Sequence, residues 1–154
     1  MILEYTMVRD GKVPTRANPS DAGLDVYYNP PKGKHEAWVR PGCNHVFETG
    51  VRIGIPHGYM LMVMNRSSMS AGRELVAGAN CIDSGYDGEI FIDLHNIGKN
   101  QTSIHPGDKI AQLVLVPVVH FRISENPDGS LYEDYPIAMS NRGDGAMGST
   151  DSNG

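Results

Sequence analysis

Glycine and proline recur about every ten residues along this chain, and this spacing limits what the chain can fold into. The sequence contains 18 glycines and 10 prolines. Because both residues interrupt regular structure, the segments between them are too short for long helices. Short segments separated by turn residues are typical of β-sandwiches and barrels. The sequence therefore predicts an all-β fold.

Most segments between these turns have the character of short strands. Ile90, Ile92 and Leu94 occupy every second position, which is the period of a strand with one buried face. The run from Tyr59 to Met64 is almost wholly apolar, so we expect a strand buried on both faces with its methionines in the core. A bend is expected at Gly50. Strands are predicted at 2–8, 24–28, 37–40, 45–55, 59–64, 75–76, 89–96 and 110–116.

The charge and cysteine content narrow the class of protein. A formal net charge of −5 argues against a nucleic-acid surface, because phosphate backbones bind basic faces. Cys43 and Cys81 have no metal-ligand spacing, so free thiols are expected. The N-terminus lacks the pattern of a secretory leader, and no apolar run is long enough to span a membrane. We expect a soluble, cytoplasmic protein that binds neither nucleic acid nor membrane.

The character of the chain changes after Val119, where the sequence becomes polar and rich in glycine and proline. We expect a β-barrel domain over residues 1–123 and a linker with a flexible C-terminal arm over residues 124–154. Taken alone, the arm has the composition of a disordered tail. It is also compatible with a segment that orders on a phosphate-bearing ligand through glycine amides, Arg142, Ser149 and Thr150.

One carboxylate and one aromatic ring flank a tight turn. Asp83 precedes Tyr86 by three residues, across a Ser-Gly pair. A carboxylate and a ring held at one bend of a sheet can serve as a general base beside a platform for a flat ligand. The alternative is a simple hairpin in which the aspartate caps the turn and the tyrosine packs on it.

Polar residues in or next to two apolar strands are further candidates for ligand binding. Arg66, Ser67 and Ser68 follow the strand at 59–64 and combine a cation with hydroxyls at a helix start, which suits an anion. A serine N-cap explains the same residues equally well. Gln112 lies within the most apolar strand and needs a hydrogen-bond partner if it is buried, so it is either a structural amide or a ligand contact.

Five segments, taken in order, resemble the motifs of the trimeric dUTPase family. They cover nearly the whole chain, and their order and spacing carry the resemblance. The motifs are 21–26 (DAGLDV), 65–70 (NRSSMS), 78–90 (GANCIDSGYDGEI), 107–113 (GDKIAQL) and 142–150 (RGDGAMGST).

The resemblance implies a distorted jelly-roll barrel, a homotrimer with shared active sites, and Mg²⁺-dependent hydrolysis of dUTP to dUMP and pyrophosphate. It implies that Asp83 activates the attacking water and that Tyr86 packs on the deoxyribose. Gln112 and Arg142 complete the implied catalytic group, and Asp25 is implied to hold the metal through water. The implied substrate-binding residues are Arg66, Ser67, Ser68, Asn80, Cys81, Ile82, Tyr86, Met147, Gly148, Ser149 and Thr150.

Three positions depart from the family pattern. Met147 stands where a phenylalanine usually stacks on uracil, so weaker cover is expected there. Asn80 and Asp87 replace a usual glycine and a usual arginine or glutamine, which leaves the details of base recognition open. Two alternatives also remain open: an enzyme resembling dCTP deaminase, which shares the fold and places a glutamate where this chain has Asp93, and a nucleotide-dependent module that binds a protein partner.

Overall fold

The computed structural model describes residues 1–129, and this part of the chain contains eleven strands and one short helix. The strands are β1 (Tyr5–Met7), β2 (Leu24–Tyr27), β3 (Ala37–Val39), β4 (Asn44–Glu48), β5 (Val51–Ile53), β6 (Tyr59–Met64), β7 (Leu75–Ala77), β8 (Cys81–Asp83), β9 (Phe91–Asn96), β10 (Thr102–Ile104) and β11 (Lys109–Pro117). Helix α1 spans Ser67–Arg73. The all-β prediction is confirmed.

The strands form antiparallel sheets around one apolar core. A four-stranded sheet has the order β2-β11-β6-β8, and a three-stranded sheet has the order β4-β9-β7. Strands β1 and β5 form one two-stranded ribbon, and β3 and β10 form another. Phe47 is fully buried and meets the Tyr28 ring edge-to-face at a centroid distance of 5.1 Å. Such contacts, multiplied across the inward faces of the sheets, supply the main driving force for folding.

Two local predictions are confirmed by the strand geometry. Ile90, Ile92 and Leu94 are all buried, as their alternation predicted. The segment 45–55 divides at Gly50, whose φ of 70° is a left-handed conformation that favours glycine. The two strands on either side, β4 and β5, consequently join different sheets.

One expectation, and one of the alternatives left open by the sequence, are wrong. Strand β6 is not buried on both faces, since Leu61 and Val63 enter the core whereas Met64 is 41% exposed and Met60 and Met62 lie on its outer side. The turn at Ser84-Gly85 does not close a hairpin, because β8 pairs with β6 and β9 pairs with β4 and β7. An apolar composition shows that a strand is buried somewhere, but its pairing partners decide which face is covered.

Contacts divide the chain into two compact units, Met1–His120 and Phe121–Gly154. The first unit holds every strand named above. In the described part of the second unit, Gly129 adopts a φ of 72° and its N–H donates to the Asn126 carbonyl at 3.1 Å, which closes a turn. The boundary expected after residue 123 stays a prediction. None of the helices within residues 1–129 has the length and apolar character needed to cross a membrane.

Candidate active site

A cavity of about 230 Å³ opens beside the turn that follows β8. Along β8, Cys81 and Asp83 lie on the exposed face and Ile82 packs towards the core, because successive side chains of a strand alternate. Gly85 adopts a φ of 86°, and the Tyr86 N–H approaches the Asp83 carbonyl at 3.3 Å. We call this cavity the Asp83 pocket. Its lining residues are Cys81, Ile82, Asp83, Tyr86, Ile90 and Phe91.

The Tyr86 ring forms one wall of the Asp83 pocket. Its hydroxyl donates to the main-chain oxygen of Glu89 at 2.8 Å, and the residue remains 46% exposed. The ring lies over Gly88, where an added Cβ would come within 2.4 Å of the Tyr86 Oη. An exposed ring held at its hydroxyl end presents a flat apolar surface to a ligand.

The Asp83 carboxylate is exposed and has one close side-chain neighbour in the pocket. The Cys81 thiol lies 3.5 Å from Asp83 Oδ1 and 3.4 Å from the Met60 sulfur. Partial desolvation and the adjacent Asp83 carboxylate, in that order, raise the pKa of the Cys81 thiol. A protonated thiol donates weakly to the carboxylate, which keeps its other lone pairs open to water.

A second group of polar side chains gathers around Asp25, and we call it the Asp25 cluster. Asp25 on β2 lies opposite Gln112 on β11. The Arg66 Nε donates to Asp25 Oδ1 at 2.8 Å, and the Lys109 Nζ donates to Oδ2 at 2.6 Å. The hydrogen bond to Asp25 raises the pKa of Lys109. The cluster comprises Asp25, Arg66, Ser68, Lys109 and Gln112.

Arg66 immediately precedes α1 in an extended conformation, as the N-cap residue. The N-cap makes no side-chain capping bond, so the serine N-cap interpretation does not hold here. The Arg66 guanidinium reaches the Ser68 hydroxyl at 3.3 Å. Ser67 and Ser68 are both exposed, which leaves their hydroxyls accessible to a ligand.

Gln112 has the structural partner that its place in an apolar strand required. Its Nε2 donates to the main-chain oxygen of Asn65 at 3.1 Å. Gly23 packs closely on the same side chain, since an added Cβ there would lie 3.0 Å from Gln112 Oε1. The amide is therefore oriented, with its Nε2 anchored beside the end of β6.

Within one chain the Asp83 pocket and the Asp25 cluster are well separated. On β6, Met60 lies opposite Asp83 and Met64 lies opposite Gln112. Four residues along β6 and two strand spacings across the sheet place the Cα atoms of Asp83 and Gln112 about 16 Å apart. Side chains at that distance cannot hold the same water molecule.

Other predicted residues lie elsewhere. Asn80 is exposed, its main-chain oxygen accepts from the Val63 N–H at 2.8 Å, and it does not line the Asp83 pocket. Asp87 forms an ion pair with Arg52 and lines a different cavity. The predicted residues of the last motif lie outside the described residues: Arg142, Met147, Gly148, Ser149 and Thr150.

Sequence reasoning missed Lys109 as a member of the Asp25 cluster. It lies within the fourth motif, but 84 positions separate it from Asp25. Only the antiparallel pairing of β2 with β11 brings the two side chains together. The sequence does place a basic residue, Lys109, in the fourth motif. Without knowledge of the strand pairing, that residue does not indicate a contact with Asp25.

The described residues offer few direct ligands for a divalent metal. They contain no group of three or more His, Cys, Asp and Glu side chains able to hold an ion. Both oxygens of Asp25 already accept hydrogen bonds from cations. Each oxygen keeps a further lone pair, so Asp25 suits a bridging water better than direct ligation. Mg²⁺ commonly retains several waters and binds substrate phosphates, which fits this arrangement.

Comparison with known proteins decides the family. The model of the dUTPase family matches residues 9–150. This chain belongs to the dUTPase family. Over 147 residues it is 37% identical to the deoxyuridine 5'-triphosphate nucleotidohydrolase of Tropheryma whipplei (strain Twist), covering 94% of this chain and 92% of that protein. The corresponding protein of Mycolicibacterium vanbaalenii is 32% identical over 145 residues, covering 92% of this chain and 89% of that protein.

Solved structures of phage dUTPases share the fold. A point variant of the Staphylococcus bacteriophage 80alpha dUTPase, solved with dUpNHpp, has a TM-score of 0.80 at 23% identity and covers 97% of this chain and 98% of that chain. A variant dUTPase from phage phi11 of S. aureus, described with a structural Mg(II) ion, has a TM-score of 0.73 at 24% identity and covers 82% of this chain and 97% of that chain. This likeness confirms the predicted jelly-roll-like architecture.

Proposed function

We propose that this chain hydrolyses dUTP to dUMP and pyrophosphate in a Mg²⁺-dependent reaction. Its relatives in the dUTPase family bear the name of that activity. The observation that carries the proposal is the Asp83 pocket, where an exposed carboxylate lies beside an exposed tyrosine ring. Hydrolysis of a nucleoside triphosphate needs a general base that takes a proton from the attacking water, and binding of the substrate needs a surface for its sugar.

Asp83 acts as the general base in the proposed mechanism. Its carboxylate takes a proton from a water molecule as the water oxygen bonds to the α-phosphorus. The bond from the α-phosphorus to the oxygen bridging the β-phosphate breaks, and pyrophosphate leaves with that electron pair. A positioned base contributes about 10²–10⁴-fold to the rate. Cys81 remains a neutral thiol beside Asp83, so it adds no competing charge.

The base and sugar bind along β8 and Tyr86. Within the described sheet β8 is an edge strand, paired only with β6. An edge strand presents unpaired N–H and C=O groups on its open side. The Asn80 carbonyl already pairs with the Val63 N–H, so the open main-chain groups of Cys81 suit the polar edge of uracil, with Asn80 and Ile82 on either side. The Tyr86 ring packs against the deoxyribose and leaves no room for a 2′-hydroxyl.

The phosphates bind at the Asp25 cluster. Arg66, Ser67 and Ser68 supply a cation and two hydroxyls, and Gln112 contacts the phosphates or the attacking water. Asp25 would hold Mg²⁺ through water, and the bound ion would supply positive charge at the phosphate oxygens. In the last motif, within the linker and arm of residues 124–154, we propose Arg142, Ser149 and Thr150 as contacts of the outer phosphates, Met147 as a contact of the base and Gly148 as a further substrate contact.

The active site is shared between chains of a homotrimer. The separation of about 16 Å between Asp83 and Gln112 is too large for a single chain to assemble base and phosphate contacts around one water. Rotational symmetry resolves this, because one chain can supply the Asp83 pocket and its neighbour the Asp25 cluster.

The surroundings of Asp93 favour a pyrophosphatase over a deaminase. The related deaminase is expected to use a glutamate at that position to shuttle protons to cytosine, and Asp93 is one methylene shorter. Here Asp93 accepts from the Asn44 amide at 2.8 Å and contacts the His95 ring at 2.9 Å. It belongs to β9 in the three-stranded sheet and does not line the Asp83 pocket.

A substrate panel tests the proposal. The purified protein is incubated with dUTP, dCTP or UTP and Mg²⁺, and pyrophosphate and ammonia are assayed separately. We expect pyrophosphate from dUTP alone, and loss of the reaction when the metal is chelated. Asp83→Asn should lower kcat by about 10²–10⁴-fold, whereas the control Asp87→Asn, outside the pocket, should not. Ammonia release from dCTP, or intact dUTP, would refute the proposal.

A further inference from the structure

The Tyr86 ring is held by contacts that lead to Arg9, a residue far from the Asp83 pocket in the sequence. The Tyr86 hydroxyl donates to the main-chain oxygen of Glu89 at 2.8 Å. The Glu89 carboxylate accepts two hydrogen bonds from the Arg9 guanidinium, at 2.5 and 2.6 Å, and a third from the Gly50 N–H at 2.8 Å. The side chains of Arg9 and Glu89 are only 24% and 12% exposed. A bidentate pair of this kind fixes orientation as well as distance.

The peptide that carries the Glu89 carbonyl is also fixed on its other side. Ile90 is buried, and its N–H donates to the Val51 carbonyl at 2.8 Å. The buried Thr49 hydroxyl donates to the Ile90 carbonyl at 2.6 Å. The acceptor for the Tyr86 hydroxyl is therefore part of a rigid segment attached to the core rather than part of a free loop.

Gly88 provides the space into which the ring fits. An added Cβ would meet Tyr86 Oη at 2.4 Å and Cζ at 2.5 Å, distances that real Cβ atoms do not show. Any side chain at this position would push the ring outward or displace its hydroxyl from the Glu89 carbonyl. The position of the Tyr86 ring thus depends on the absence of a side chain at Gly88 and on the fixed main-chain oxygen of Glu89.

We propose that Gly88, Glu89 and Arg9 are positioning residues for Tyr86 and set how strongly the site rejects a ribose. The inference rests on the proposed function, in which the ring packs against the sugar. Rejecting one hydroxyl depends on close contact, and a displacement of about 1 Å in a site is enough to change rates substantially. None of the three residues needs to touch the substrate.

The test compares the ratio of kcat/KM for dUTP to kcat/KM for UTP in matched variants. Gly88→Ala should lower this ratio at least about tenfold, the lower end of the effect of one misfitting group in a pocket. Gly54→Ala is the matched control, because an added Cβ there lies 3.7 Å from the Glu4 carbonyl, an ordinary contact. Its ratio should equal that of the parent. A folded Gly88→Ala variant with the parental ratio overturns the proposal.

Two further variants keep the test decisive if Gly88→Ala does not fold. Tyr86→Phe keeps the ring and removes its anchor, and Arg9→Lys keeps the charge but cannot form the bidentate pair. Both should lower the ratio, and the circular dichroism spectrum should remain parental. A purely structural role for the Arg9–Glu89 pair would lower stability and leave the ratio unchanged, which would refute the inference.

The same variants can be tested independently of turnover. Titration calorimetry with dUDP and UDP measures sugar discrimination as the ratio of the Kd for UDP to the Kd for dUDP. This ratio should be smaller in Gly88→Ala than in the parent. A parent that binds dUDP selectively but leaves dUTP intact would refute the proposed function alone. A parent that does not distinguish dUDP from UDP would refute the positioning role.

Discussion

Mixing two inactive variants of this chain should restore activity, because the two halves of the proposed site lie on different chains. Asp83→Asn removes the base of the Asp83 pocket, and Arg66→Ala removes the cation beside Ser68 in the Asp25 cluster. Each variant alone should be nearly inactive as a homotrimer. In a mixed trimer, some sites combine an intact Asp83 from one chain with an intact Arg66 from its neighbour.

The size of the effect follows from the separation of the two groups. Since about 16 Å separates Asp83 from Gln112 within a chain, each functional site must draw on two chains. In an equal mixture each of the two contributions is intact half of the time, so about one quarter of the sites are intact. Sites contained within single chains would give no intact site at all in this mixture.

The assay is pyrophosphate release at fixed total protein, after the two variants are unfolded together and refolded. Two different affinity tags, purified in sequence, show that the chains have exchanged. As a control, the double variant Asp83→Asn/Arg66→Ala is mixed equally with the parent. That mixture should retain about one quarter of parental activity if sites are shared and about one half if they are not. Exchanged mixtures no more active than the separate variants would refute the shared site.

Three further predictions concern stability, pH and the arm. Phe47→Ala should lower the free energy of unfolding by about 3–5 kcal/mol, because its fully buried ring packs on Tyr28; urea unfolding at fixed protein concentration measures this. Burial is the largest single influence on Glu48 and opposes its ionisation, but the Lys34 hydrogen bond, a backbone hydrogen bond and the charges of Lys34 and His45 together keep the Glu48 pKa below its ordinary value of about 4.5. The pair therefore stabilises the fold above about pH 4.5, and this contribution is lost as the pH falls through the lowered pKa, so the urea midpoints of the parent and Lys34→Met should differ at pH 7 and converge as the pH is lowered further. If residue 147 covers the base as proposed, Met147→Phe should lower KM for dUTP, because an aromatic ring offers a larger flat surface than a methionine; an unchanged KM would count against that role.

Local features of the sequence were enough to predict the fold class and most strands. Turn residues bounded the segments, and alternation identified the buried residues Ile90, Ile92 and Leu94. The motif order was enough to predict the family, which the match over residues 9–150 confirms. These predictions succeed because turn chemistry and burial period act over a few neighbouring residues.

Only the tertiary structure decided which residues share a site. The pairing of β8 with β6 put the face of Cys81 and Asp83 beside the outward methionines, and the pairing of β2 with β11 brought Lys109 to Asp25. The contact between Arg9 and Glu89 spans 80 positions and leaves no periodic trace in the sequence. Alternation along a strand records that one face is buried but not which strand lies beside it, because that choice depends on contacts formed across the whole sheet.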